Sequence, residues 1–108
     1  MNCPKCEGQA LTPASVKGIE VDRCRNCDGI WFDSEELTAV LNLDTKSRRG
    51  LQSDHEDTLR DQIRGRCPRD QSKLFRMYSA HAESVVLDTC PTCGGIWLDA
   101  GELSKLST

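Results

Sequence analysis

Apolar and polar positions alternate over residues 10–23, where Leu11, Ala14 and Val16 lead into Lys17-Gly18, and Ile19, Val21 and Arg23 then interleave with Glu20 and Asp22. Alternation of period two on either side of a Gly-containing pair predicts a β-hairpin. Gly29-Ile30-Trp31-Phe32 predicts a third strand. After it the spacing changes to Leu37, Val40 and Leu41, the i, i+3, i+4 stripe of an amphipathic helix. Asp33, with Glu36 three residues on, reads as the N-cap of that helix in a relative of the capping box. Glu35 and Glu36 suit the positive end of a helix better than an acid/base pair.

The same succession returns after residue 66. Leu74, Arg76 and Tyr78 alternate with Lys73, Phe75 and Met77, residues 79–83 make a longer turn, and Val85, Val86 and Leu87 lead back to Cys90. Asp99 with Glu102 then opens a short helix carrying Leu103 and Leu106, with Gly101 inside it; two turns do not stand alone and need a surface to pack on. Cys24 to Leu37 and Cys90 to Leu103 are near-copies, both reading CxxCxGIW, then Phe or Leu, Asp, two residues, and Glu-Leu. The chain is one unit written twice, over residues 1–41 and 67–108, joined by a charged linker over 42–66. In the linker, Ser53-Asp54-His55-Glu56 is a capping box, Leu59 and Ile63 are i, i+4 neighbours and Gly65 is a stop, so a helix is expected near 54–64, with His55 an exposed member.

Length changes the picture, because a repeat of about 40 residues is near the size where a hydrophobic core alone stops being sufficient. With 37% apolar residues, two Trp, two Phe and one Tyr the core is thin, and seven Cys in 108 residues name the staple. The amino terminus has no basic and apolar leader pattern, and no apolar run approaches a membrane span, so a cytoplasmic protein is expected. In a reducing compartment CxxC pairs hold metal rather than disulfides, and an odd number of Cys fits complete pairing poorly.

Cys3-Pro4-Lys5-Cys6 and Cys24-Arg25-Asn26-Cys27 are knuckles separated by 17 residues, a four-cysteine zinc spacing. Four thiolates close the tetrahedral shell, which makes this a structural site. In the second repeat Cys67, Cys90 and Cys93 repeat three of the ligands, and Asp70 stands where the first repeat has Cys6. A carboxylate is a legitimate zinc ligand, so Asp70 takes the fourth place, with His81, water or an empty site in which Asp70 caps the turn as alternatives. Exchanging a soft thiolate for a harder oxygen weakens the second of the two Zn2+ sites.

CPKC, GIEVDRC and CRNCDGIWFDSEEL, followed by CPRD, VVLDTC and CPTCGGIWLDAGEL, resemble the short zinc ribbons named for their similarity to the ribbon of transcription factor IIB. The resemblance covers residues 1–41 and 67–106 and implies a small metal-stapled α+β fold: two tandem zinc β-ribbons, each followed by a short helix. It does not by itself fix a function.

Three function classes follow. A non-catalytic protein-interaction module would use Trp31 with Phe32 and Trp97 with Leu98; one of each adjacent pair must leave its own ribbon, so these groups either meet each other about a pseudo-twofold axis or await a partner. A transcription-associated nucleic-acid binder would use Lys46, Arg48 and Arg49, with Arg64, Arg66 and Arg69. Charge disfavours it: seven thiolates add seven negative charges and two divalent ions return four, taking the formal −3 to about −6. An enzyme, by thiol redox or a hydrolytic metal at Asp70, lacks a βαβ setting and a recognisable base, and a rubredoxin-like iron site is a rival for CPTCG. The interaction module is the expectation.

Overall fold

The computed structural model describes residues 1–48, 51, 65–78 and 86–106. The helix expected near 54–64, with His55, and the second hairpin turn, with His81, lie outside the described residues. Strands β1 (Thr12–Val16) and β2 (Ile19–Arg23) pair antiparallel with Val16 opposite Ile19. Lys17 and Gly18 between them both take positive φ, 49° and 81°, which gives a two-residue turn whose twist matches the strands. Pro13 is tolerated because β1 is an edge strand. Next come β3 (Ile30–Phe32), α1 (Glu36–Leu41) and α2 (Thr45–Arg48), then β4 (Phe75–Tyr78), β5 (Val86–Thr89), β6 (Ile96–Leu98) and α3 (Glu102–Leu106).

The ribbons are not separate beads. One six-stranded antiparallel sheet runs in the order β1-β2-β3-β6-β5-β4. Its centre is the pairing of β3 with β6, Ile30 opposite Leu98, Trp31 opposite Trp97 and Phe32 opposite Ile96, so a pseudo-twofold axis passes between the tryptophans. Pairing partners share a face, and the row Pro13, Asp22, Trp31, Trp97, Asp88, Arg76 therefore crosses one side of the sheet. On that side the tryptophans pack with the cysteines and Leu74. On the other, Val21, Ile30, Phe32 and Leu98 meet Leu37 and Val40 of α1, Leu103 and Leu106 of α3, and Leu51.

Each tryptophan is seated on the opposite repeat. A Cβ on Gly95 would collide with the Trp31 ring, and one on Gly29 with the Trp97 ring. Glycine is needed at both places so that the indole can lie against bare backbone. Trp31, Phe32, Trp97 and Leu98 are at most 1% exposed, so the partner surface suggested for them is corrected: they are consumed in joining the repeats.

The helix entries also differ from expectation. Glu36 Oε1 accepts from the Asp33 N–H at 2.8 Å, so half of the capping box is present, but the Asp33 side chain is directed elsewhere. The chain enters α1 through Glu35 at φ 76°, and enters α3 through Gly101 at φ 85°, so Gly101 precedes its helix rather than interrupting it. Arg48 is corrected as well. It is buried, donating from Nη1 to the Leu41 carbonyl at 2.8 Å, and so is not open to a polyanion.

Two substitutions test this account by chemical denaturation of the metal-loaded protein. Gly95→Ala overpacks the buried Trp31 seat and is expected to destabilise by about 1–3 kcal/mol. Glu35→Gly relieves an exposed left-handed residue and is expected to stabilise by up to about 1 kcal/mol.

Candidate metal centres

Each cysteine pair sits on a tight turn. Cys3 N–H donates to the Gln9 carbonyl at 2.8 Å and Cys24 N–H to that of Gly29 at 2.9 Å; in the second repeat Cys67 donates to Ser72 at 2.8 Å and Cys90 to Gly95 at 3.0 Å. The turns are made by left-handed residues, Gly8, Asp28, Gln71 and Gly94. The hairpins bring the two knuckles of each repeat together. Cys3, Cys6, Cys24 and Cys27 place their donor atoms within 4.8 Å of one another, and so do Cys67, Asp70, Cys90 and Cys93.

The donor sets fit a thiophilic divalent ion. Four sulfurs at zinc's usual distance stand about 3.8 Å apart in a tetrahedron, and Cys3 Sγ lies 3.9 Å from Cys27 Sγ while Cys67 Sγ lies 3.6 Å from Cys93 Sγ. N–H groups already face the sulfurs as they would face thiolates: Lys5 N on Cys3 and Arg69 N on Cys67, both at 3.4 Å, and Asn26 Nδ2 on Cys6 at 3.3 Å. Without a cation such packing makes Cys27 and Cys67 resist ionisation. The Cys27 thiol is pushed up by its hydrogen bond with Cys3 and by burial, and burial pushes Cys67 up to about 12. A bound divalent ion reverses that preference, because it stabilises the thiolate outright.

The sites are unequal. All four donors of the first are buried, whereas Asp70 is exposed and Cys93 only half-buried. Asp70 Oδ2 is 3.5 Å from Cys90 Sγ, and its Oδ1 accepts the Ser72 N–H at 2.9 Å. The carboxylate thus faces the donor cluster while capping its own turn, so the cap geometry still leaves its oxygens beside the three thiols. Hydrogen bonds from Ser72 hold its carboxyl below the ordinary range.

Around each cluster lies a charged group that the sequence pattern did not reveal. Lys5, between Cys3 and Cys6, sends its Nζ across the molecular axis to Asp88 Oδ2 at 2.8 Å and Asp99 Oδ2 at 2.6 Å, all but excluded from solvent. Burial works to lower the Lys5 ammonium, but its hydrogen bonds to the two aspartates outweigh that and hold it above the ordinary lysine value. Burial raises the Asp99 carboxyl, with Lys5 and Trp97 opposing. Arg69, between Cys67 and Asp70, makes the mirror contact to Asp33, its Nη2 donating to Oδ2 at 2.5 Å. That hydrogen bond holds the Asp33 carboxyl low. Both aspartates also accept from the indole of their own repeat, Trp31 at 3.1 Å and Trp97 at 3.0 Å. The signal was present as a cation at the same place in both knuckles and an aspartate at the same place after both GIW runs.

Of the basic residues considered for a polyanion, Lys46 is exposed, Arg48 is buried, Arg69 is engaged with Asp33, and Arg49 lies outside the described residues.

The arrangement is a four-donor cluster on a three-stranded ribbon, present twice. The chain belongs to the transcription factor zinc-finger family, whose model matches residues 2–43 and 66–107. Searches of the curated proteins and of the solved structures returned no match. Family membership and geometry agree on one metal-binding ribbon in each repeat. Among the described residues, no helix is long and apolar enough to cross a membrane.

If Asp70 is a ligand, Asp70→Cys should slow metal loss from the second site to a chelator and Asp70→Ala should speed it, with the first site's rate the internal reference.

Proposed function

We propose that the protein is a non-catalytic, cytoplasmic module that binds other proteins, with two structural Zn2+ ions, the second held less tightly. The carrying observation is that the first site is a set of four buried thiols, which as thiolates fill a tetrahedral shell and leave no open position on the ion. A structural ion of this kind contributes folding energy directly, and no general base accompanies Asp70 among the described residues to support hydrolytic chemistry. Seven cysteines outside any disulfide suit a reducing compartment.

A protein partner is favoured over nucleic acid. The net charge is negative, and Arg48 and Arg69 are committed within the fold. Apolar surface remains elsewhere: Phe75 and Met77, side by side on edge strand β4, are each 54% exposed. These two side chains take over the contact role expected of the tryptophans.

Elemental analysis is expected to give a metal-to-protein ratio near two, with zinc as the metal. Chelation should abolish the β-sheet circular dichroism, and apo-protein that stays folded would overturn the structural role. Binding to single- or double-stranded DNA or to RNA should be absent at low salt; a measurable affinity that falls with salt would favour the nucleic-acid reading.

A further inference from the structure

Lys5 is a buried cation that no ribbon needs for itself. It belongs to the first knuckle by sequence, yet both of its carboxylate partners belong to the second repeat, Asp88 on β5 and Asp99 just after β6. Its own backbone N–H is tied to the ligand atom of Cys3. The adjoining Pro4 touches the entry to the second repeat, since a Cβ on Gly65 would come within 2.7 Å of Pro4. Closing the first knuckle around an ion therefore fixes the residue that neutralises two carboxylates, 1% and 3% exposed, inside the other repeat.

We infer that the two metal sites load cooperatively, and that the buried ion triad Lys5–Asp88–Asp99 carries the coupling. This rests on the reading of both clusters as zinc sites. When the first knuckle is open, Asp88 and Asp99 face each other without their shared cation, which penalises the β5–β6 half of the sheet and with it Cys90, the residue that follows β5. When that half is unformed, Lys5 loses both partners and the first knuckle loses its anchor. The coupling is reciprocal by necessity, since each site must change the other's affinity by the same factor. The mirror pair Arg69–Asp33 cannot match it. Its side chains are 48% and 28% exposed, and an ion pair reached by solvent contributes little.

Native mass spectrometry of the full chain in a zinc–chelator buffer tests this. At an average of one zinc per chain, independent sites leave about half the molecules or more singly loaded, and unequal affinities only enlarge that share. The expected result is a singly loaded share well below half, the coupling outweighing the difference in affinity between the sites; a share of half or more with two zincs bound at saturation overturns the inference while leaving the zinc reading intact. No zinc uptake would instead remove the zinc reading itself. The variant Lys5→Met/Asp88→Asn/Asp99→Asn removes all three charges together, so no lone buried charge remains. It should still take two zincs at saturation but show at least half singly loaded, and persistent depletion would overturn the role of the triad. Arg69→Met/Asp33→Asn should leave the depletion in place. Independently of how the triple variant folds, emptying the second site by Cys90→Ser/Cys93→Ser should weaken zinc at the first by about tenfold or more in chelator competition; an unchanged affinity also overturns the inference.

Discussion

The structure depends on the pairing of β3 with β6. Each of these strands is three residues long, and neither ribbon could bury its own GIW run against the few apolar side chains it owns. Placed antiparallel about a shared axis, the strands bury both tryptophans, Phe32 and Leu98 at once and turn two thin ribbons into a six-stranded sheet. Reciprocal seating of each indole on the other repeat's glycine fixes the register, because a slip of one residue would move every side chain to the wrong face. The sheet then separates two kinds of staple, with metal clusters and tryptophans on one side and helices on the other.

Duplication with divergence explains much of the rest. The two halves keep the same turn bond and left-handed residue at the second knuckle, the same left-handed helix entry and the same cation-to-aspartate crossing, whereas the first knuckles differ by one residue, Cys3 bonding to Gln9 and Cys67 to Ser72. Between them the crossing is buried in one direction and exposed in the other, and one cluster has four thiols where the other has three and a carboxylate. The features combine in opposite senses: the first repeat has both the all-thiol cluster and the buried lysine, while the second has the carboxylate in its cluster and the exposed arginine. Enclosure is concentrated in the first half and solvent access in the second. In the binding role proposed above, β4 with the exposed Phe75 and Met77 is the apolar surface offered.

Much of the fold and both candidate sites were legible in the chain. Knuckle spacing identified the eight donors, because tetrahedral coordination by turns needs cysteines three apart, and alternation identified the first hairpin and its Lys17-Gly18 turn. Helix entry was misjudged at Asp33 and Asp99. The capping-box spacing is local, but the side chains answer to Arg69 and Lys5, which are distant in sequence. Arg48 read as a candidate polyanion contact because its charge is visible in the sequence and the Leu41 carbonyl that accepts its hydrogen bond is not.

The sequence by itself determined the repeat, the eight candidate donors that come together and the strand–strand–strand–helix order, since each of these follows from spacing within about 40 residues. Only the tertiary structure decided that the tryptophans face inward and that Lys5 serves the other repeat. Those outcomes depend on how two units dock, and docking is set by shape and charge across an axis that no linear pattern records.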